Sequence, residues 1–392
     1  MIIMLKHCVL KGLLLTAFLG IMLVGSGFMV IGHRGEYFNN HMGIVEHTYQ
    51  SYDHAINDGA SMLEIDLERS SDGVLVISHD PTTERLSGIH RVISDTPWAT
   101  LRQLPYGNGE RMKSLQEVLL HYRDLPQVQF MIETRLVNNQ MRMEDTLAQL
   151  VASLGLQRRV VYESFSDSSL LRMQQLQPGA RTLLLLHPNT WLTSNYIATH
   201  RWTTSYGVWW PQLSGAAVNE VHAAGQQVFP WPMDNETGNE VADEYALGTD
   251  GVITNWSSHY RESPDPSRSL TDMVFDVDQP TTVYAGLGSN ASSLRTLPRD
   301  TTWPASREMT VHDIRWYEIG KNEWVRASDG VLTSKLMLSH TAAMNNRPDL
   351  FALFASPFIS LFKHTANHQY SVLAYQSGHL LPYEVSGSKS DS

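Results

Sequence analysis

The sequence predicts an α/β chain: a (β/α)8 TIM barrel followed by a small C-terminal all-β domain. Three observations carry this expectation. Between residues 28 and 254, eight short apolar runs alternate with amphipathic stretches, the order of a parallel barrel. The 392 residues exceed the roughly 250 that one barrel needs, so a smaller unit should follow. Behind the polar stretch Ser263–Ser269 the apolar runs become short and turn-rich, as in an all-β region.

The predicted strands are Phe28–Ile31, Met62–Leu67, Val128–Ile132, Val160–Ser164, Thr182–Leu186, Tyr206–Trp210, Gln227–Trp231 and Gly251–Thr254. Helices are predicted at Thr48–Asn57, Leu115–Tyr122, Glu144–Leu154, Ser168–Leu176, Ala216–Ala224 and Glu240–Leu247. Glu64 to Asp80 breaks the alternation and reads as strand, Asp72-Gly73 turn, strand, because Asp-Gly between alternating residues signals a hairpin. A two-residue loop there sets Asp66 opposite His79, and the two-residue repeat of a strand puts Glu64 on the same face. Thr282–Ala285, Arg315–Gly320 and Glu323–Arg326 read as later strands, with β-like runs again at Gln369–Tyr375 and Leu380–Tyr383. The expected organisation is a leader at 1–27, the barrel at 28–262, a linker at 263–276 and one or two small β units at 277–392. A linker of this composition predicts loose docking, so that a chain ending near Arg268 should fold and keep the chemistry of the barrel.

Lys6, His7 and Lys11 precede an uncharged run from Gly12 to Gly32. Its apolar core, Leu13–Val24, has the length of a signal-peptide core, and the positive residues before it place the remainder outside. Gly25-Ser26-Gly27 offers small residues for cleavage. A complete membrane span of about 20 residues would consume the first strand. The leader is therefore a cleaved signal or a short membrane anchor, and the expected location is the extracellular face, either anchored or secreted and associated with the cell wall.

Lys and Arg number 29 against 40 Asp and Glu, a formal charge of −11. That excludes nucleic acid as the expected partner, since phosphate backbones are bound by basic surfaces. An anionic substrate must meet local positive charge: a metal, an arginine or a helix N-terminus. Cys8, in the leader, is the single cysteine, so a metal would be held by oxygen or imidazole.

Functional residues of such a barrel stand at the C-terminal ends of its strands. Those ends here carry His33-Arg34-Gly35, Glu64 and Asp66, Glu133 and Arg135, then Ser164, Trp231 and Asn255. Three carboxylates converging on one mouth repel and need a cation or shared protons. An all-oxygen set suits Ca²⁺ or Mg²⁺. His33 and His79 come from separate strand ends and would flank a reacting phosphorus, one taking and one giving a proton. Arg34 and Arg135 would hold phosphate oxygens. Each element alone has a plainer use: Glu-x-Asp on a solvated strand, Glu133 with Arg135 as a surface ion pair, Trp231 as barrel packing. Their joint position gives the weight.

Gly32-His33-Arg34-Gly35, Val45-Glu46-His47-Thr48, Gly59-Ala60 through Glu64-Ile65-Asp66, and Asp72-Gly73 through His79-Asp80 together resemble the glycerophosphodiester phosphodiesterase family. Ser114 through Glu117, Ile132-Glu133-Thr134-Arg135, Glu163-Ser164-Phe165 and Asp250-Gly251 through Asn255 agree, so the resemblance spans about residues 28–260. It implies a divalent cation on Glu64, Asp66 and Glu133, an acid–base pair of His33 and His79, and Arg34 on the phosphate. The reaction implied is hydrolysis of a glycerophosphodiester to glycerol 3-phosphate and an alcohol, directly or through a cyclic phosphate. His47 stands where the family has asparagine, Arg135 where it has lysine. The asparagine after the tryptophan motif is replaced near Met233-Asp234, and the loop Glu36–Ile44 is longer. Tyr284–Ser328 resembles the surface-layer (SLAP-type) and SH3-like cell-wall-binding domains of Gram-positive bacteria, with Trp316 and Trp324 as wall contacts or core. Teichoic-acid-like glycerol-phosphate polymers join small glycerophosphodiesters as expected substrates. The rivals are a phospholipase acting on intact or lyso-lipids, its apolar rim drawn from Trp209, Trp210 and Trp231, and a catalytically silent wall-binding protein.

Overall fold

The computed structural model describes residues 27–37, 43–231, 238–263 and 265–335, with short strand segments between 361 and 380. Most of the leader, and Met233-Asp234, lie outside the described residues. The barrel region runs β1 (Met29–Gly32), α1 (Tyr49–Asn57), β2 (Met62–Arg69), β3 (Leu75–Ile77), α2 (Glu84–Ser87), α3 (Trp98–Leu101), α4 (Leu115–Tyr122), β4 (Gln129–Glu133), α5 (Glu144–Ser153), β5 (Val160–Ser164), α6 (Asp167–Leu176), β6 (Arg181–Leu185), α7 (Ser194–Thr199), β7 (Ser205–Trp209), α8 (Gly215–Ala223), β8 (Gln227–Trp231), α9 (Gly238–Leu247), β9 (Gly251–Thr254) and α10 (Ser257–Glu262). The strand order is β8-β7-β6-β5-β4-β2-β1-β9, all parallel. A near-closed barrel of eight strands results. Its seam is drawn together by Asp250, whose N–H donates to Val228 O at 3.1 Å and whose carboxylate accepts from Val228 N and His222 Nε2.

Alternation along each strand decides what faces the centre. On β2, Leu63, Ile65 and Leu67 pack outward with Val118, Leu119, Leu147 and Val151 of the helices. The inward series is Met62, Glu64, Asp66. Met62 joins Ile31, Met131, Val161, Leu183, Phe229 and Ile253 in an apolar floor. Above that floor the inward positions of β2, β4 and β5 become Glu64, Asp66, Glu133 and Glu163. The strands therefore change from core to chemistry within one two-residue step. The helices begin where polar caps allow: Thr48 and Ser114 each close a capping box on α1 and α4, and Ser166, Thr193 and Ser214 cap α6, α7 and α8.

The hairpin has a different register from the one expected. Leu67 pairs with Ile77, Glu68 with Val76 and Arg69 with Leu75. The turn is longer than Asp72-Gly73: Ser70 N donates to Val74 O, and the Ser70 hydroxyl donates to Asp72 and accepts from Val74 N. Ser78, not His79, consequently lies opposite Asp66, with Ser78 N donating to Asp66 O at 3.1 Å. His79 leaves the strand one residue later.

The C-terminal region is a separate antiparallel sheet: β10 (Arg268–Val277), β11 (Thr281–Ala285), β12 (Ser292–Leu297), β13 (Thr302–Val311), β14 (Ile314–Gly320), β15 (Glu323–Arg326) and β16 (Gly330–Ser334), in the order β12-β11-β15-β14-β13-β10-β16. Residues 268–276, read as linker from composition, are strand. Two further strand pairs, β17 (Leu361–His364) with β18 (Tyr370–Leu373) and β19 (Tyr375–Gln376) with β20 (His379–Leu380), follow.

Loose docking is not what the structure shows. Ala246 of α9 is buried with Leu287, Met309, Val311, Trp316 and Trp324 in one apolar cluster. Trp324 is 1% exposed and Trp316 8%, so these tryptophans are core and not a free wall-contacting surface. Asn322 Nδ2 donates to Leu247 O and to Asn219 Oδ1, and its Oδ1 accepts from Trp324 Nε1. Proline and serine in 263–269 report a solvated crossover; they carry no information about what the following sheet touches. Trp324→Ala is expected to lower unfolding stability by about 3–5 kcal/mol, checked by urea unfolding followed by circular dichroism. No helix among the described residues is long and apolar enough to cross a membrane.

Candidate active site

At the C-terminal ends of the strands lies a cavity of about 250 Å³ lined by His33, Arg34, Glu64, His79, Glu133, Arg135, Glu163, Phe165, Leu185, Trp231, Ile253 and Asn255. Of the strand-end side chains expected from sequence, all but Asp66 and Ser164 line it directly; Ser164 is buried, its hydroxyl donating to Thr134 O. Asp66 is buried beside it, with one oxygen each of Glu64, Asp66 and Glu133 mutually within 4.8 Å.

The turn after β1 is built to aim His33. His33 N donates to Thr254 O, and its Nδ1 lies 2.7 Å from Asn255 Oδ1. An amide oxygen there requires the proton on Nδ1 and leaves the Nε2 lone pair free. Arg34 (φ 54°) and Gly35 (φ 79°) are left-handed, and a Cβ at Gly35 would strike Ser51. The left-handed step turns Arg34 N onto Glu64 Oε2 at 2.7 Å and Arg34 O onto His47 N and the Ser51 hydroxyl. Burial, then the Arg34 charge, push His33 down to about 3, so it is neutral at ordinary pH.

The carboxylates are held in unequal states. Burial, then the charges of Asp66 and Glu163, raise Glu64 well above the usual carboxylate range. Burial, then Asp66, push Glu133 up to about 8. Burial, then Glu133, raise Glu163. Burial opposes ionisation of Asp66 too, but Arg135 outweighs it, with His47 and Arg34, and holds Asp66 well below its ordinary value. The geometry gives the reason: Arg135 Nη2 is 2.6 Å from Asp66 Oδ1, its Nε 2.8 Å from Glu133 Oε1, and Arg34 Nε 3.2 Å from Asp66 Oδ2. The Glu133–Arg135 pair is thus part of the cavity, not a surface ion pair.

His47, at the position where the resemblance expects asparagine, is buried and left-handed (φ 58°). Its Nε2 lies 3.0 Å from Asp66 Oδ2 and its Nδ1 2.9 Å from the Tyr52 hydroxyl. Nε2–H therefore donates to Asp66, the kind of bond an asparagine amide also makes. Across the cavity, His79 Nδ1 sits 2.8 Å from Asp80 Oδ1, and Arg135 Nη1 donates to His79 O. Asp80 Oδ2 and Glu46 share Arg85, which grips Glu46 through both terminal nitrogens at 2.8 and 2.6 Å. Burial lowers His79, although the charge of Asp66 opposes it.

Glu163, Asp80, Arg85 and Glu46 were not among the expected site residues. Glu163 had a usable signal: it follows Val161 by two residues, just as Glu133 follows Met131. Arg85 had none, since it lies on the four-residue α2 and reaches Glu46 only through the tertiary fold. Trp231 forms the far wall with Trp209, their rings 6.5 Å apart. Trp210, expected at an apolar rim, is buried in the core. Phe165 stacks on His187 at the rim, 4.5 Å between rings.

Residues 33–258 match the model of the glycerophosphoryl diester phosphodiesterase family. A glycerophosphodiester phosphodiesterase of Bacillus subtilis is 26% identical over 268 residues, covering 60% of this chain and 86% of that one. Its counterpart from Caldanaerobacter subterraneus is 23% identical, covering 58% of this chain and 93% of its own. The fold is shared with an Oleispira antarctica phosphodiesterase solved with its product sn-glycerol-3-phosphate, with TM-score 0.51, 20% identity, 61% of this chain and 97% of that one. With more than half of its length matching the family model and a carboxylate-lined barrel mouth in the matched part, this chain belongs to the glycerophosphoryl diester phosphodiesterase family.

Proposed function

We propose that the protein hydrolyses glycerophosphodiesters to glycerol 3-phosphate and an alcohol, with a divalent cation held by Glu64, Asp66 and Glu133. The observation that carries this is the buried acidic triad beside two arginines and two histidines in one cavity. The residues fit a cation: Glu64 Oε1 is buried and has no hydrogen-bond partner among the described residues. Oxygen donors of this kind suit Ca²⁺ or Mg²⁺, and such an ion, when bound, would polarise phosphoryl oxygens.

The chain's own groups supply the rest. Arg34 and Arg135 offer guanidinium N–H groups to a phosphodiester and offset charge that grows on its oxygens. His33, neutral with Nε2 free, accepts the proton of the attacking hydroxyl or water. His79, oriented by Asp80 across the cavity, returns a proton to the departing alcohol. Trp231 and Phe165 border the space left for the glycerol and alcohol portions. An intact set of this kind argues against a catalytically silent wall-binding protein.

Glycerol-phosphate polymers of the cell surface fall within this reading because their repeating link is the same diester. The lysines ahead of the apolar leader support export, with the leader cleaved or kept as an anchor. The phospholipase reading draws support from exposed apolar side chains on neighbouring loops: Phe165 is 38% exposed and Trp191 58%. One assay separates these. The hydrolysis products are measured with defined cations: glycerol 3-phosphate from glycerophosphocholine and teichoic acid, and lysophosphatidic acid with free choline from a lysophosphatidylcholine. Release from glycerophosphocholine is expected; turnover of the lysolipid alone would favour the phospholipase, and no turnover of any would remove the enzymatic reading.

A further inference from the structure

The loop between β11 and β12 does more than attach one sheet to another. It threads between α8 and α9, the helices that follow the two strands bearing Trp209 and Trp231. Asn290 Nδ2 donates to Trp210 O at 3.0 Å, and Asn290 O accepts from Gly215 N at 3.0 Å. Ser292 Oγ accepts from Ala216 N at 3.3 Å. On the other side, Leu287 N donates to Ala246 O at 2.7 Å and Ser289 N to Asp243 Oδ2 at 3.1 Å. The approach is so close that a Cβ at Gly215 would collide with the carbonyl of Ala285.

Trp210 O is shared between Asn290 and Leu213 N. It belongs to the short turn that leaves β7 directly after Trp209. Trp209 and Trp231 are register partners at the ends of β7 and β8, and Trp231 lines the cavity. In the order of strands round the barrel, β7 and β8 lie across from β2 and β4, which carry the acidic triad. The tryptophan wall therefore faces those carboxylates across the cavity.

We propose that Asn290 of the C-terminal sheet is a positioning residue for substrate binding: by clamping the β7–α8 turn from outside the barrel, it fixes Trp209 and through it Trp231. This rests on the diesterase reading of the cavity. Loss of the clamp lets the wall move without disturbing the carboxylates, arginines or histidines. Binding weakens while the chemical step is spared.

Asn290→Asp keeps the shape of the side chain and removes the N–H donor. In the full-length protein with cation, KM for glycerophosphocholine is expected to rise about three- to tenfold, the scale of one hydrogen bond of positioning, with kcat within about twofold. Acrylamide quenching of tryptophan fluorescence is expected to increase. Trp209→Phe supplies the control. If Asn290 acts through Trp209, the Asn290→Asp/Trp209→Phe double variant has the KM of Trp209→Phe alone. Unchanged KM and quenching in Asn290→Asp, or fully additive effects in the double variant, overturn the proposal. So does a fall confined to kcat. Should Asn290→Asp fail to fold, Ser292→Ala, which loosens the same loop at Ala216, must reproduce the quenching change, and its absence counts against the clamp. The quenching readout needs no turnover, so failure of the diesterase reading, seen as no hydrolysis even by the unaltered protein, is distinguishable.

Discussion

Glu64→Gln is expected to leave a folded protein that has lost turnover, and chelation of the unaltered protein should do the same. Glu64 is the member of the triad with an oxygen that nothing in the described structure satisfies, while its other oxygen is fixed by Arg34 N. Glutamine keeps the acceptor for Arg34 N but removes the charge a cation needs. Cation affinity should fall at least about tenfold, since even outer-shell changes cost that much. A second readout comes from pH. Glu133 retains its proton up to about 8 in the folded protein, whereas in the unfolded chain it ionises in the ordinary glutamate range. Between those values the folded state binds more protons, so this group makes the cation-free protein less stable as pH rises. A cation reverses the penalty by favouring the ionised form. The rise in Tm caused by Mg²⁺ or Ca²⁺ should therefore be small at pH 5 and larger at pH 8. Full activity in excess EDTA, or a cation-induced Tm shift independent of pH, would contradict this assignment.

His33→Ala and His79→Ala should each lower kcat by on the order of 10²–10⁴, the usual contribution of general acid–base groups. The two histidines are held differently, so their variants should differ in kind. Asn255 fixes the tautomer of His33 and burial keeps it neutral. Burial lowers His79 as well, but Asp80 accepts its Nδ1 proton and partly offsets that lowering. If His79 is the acid, a diester whose alcohol needs no protonation, such as a p-nitrophenyl ester of glycerol phosphate, should restore much of the rate of His79→Ala and little of that of His33→Ala. Equal recovery in both variants would reverse or dissolve the assignment, and an unchanged kcat in either would remove that residue from the chemistry.

The barrel could be read from sequence because its strands are buried on both faces and end abruptly in charge. Met62–Leu67 and Val128–Ile132 are apolar until a carboxylate appears at the mouth, and the strand limits fall within a residue or two of those expected. α7 escaped notice because six residues carry too little periodicity. The hairpin register slipped by one because Ser70 closes a longer turn than Asp72-Gly73 alone implies. At the site, residues at strand ends were legible, and the structure gathers His33, Arg34, Glu64, Asp66, His79, Glu133, Arg135 and Trp231 about one cavity. What sequence could not offer were links between distant loops. Arg85 bridges Asp80 and Glu46, and neither partner shares a regular element with it. The tight seating of the C-terminal sheet was equally illegible, since Trp316 and Trp324 are as compatible with a ligand surface as with a core.

The seating of that sheet also sets an order in time. A chain emerges from its N-terminus, and domains generally fold as units during synthesis. Here β9 pairs with β1, so all eight strands are available once residue 254 has appeared. Yet α8 and α9 gain outer partners in residues that come later, among them Leu287, Ser289, Asn290, Ser292 and Asn322. Until those residues arrive, the quarter of the barrel bearing Trp209 and Trp231 has strands in place and an uncovered flank. A chain that begins to fold once residue 254 has emerged would hold the acidic half of its mouth with all its partners and the aromatic half without its brace.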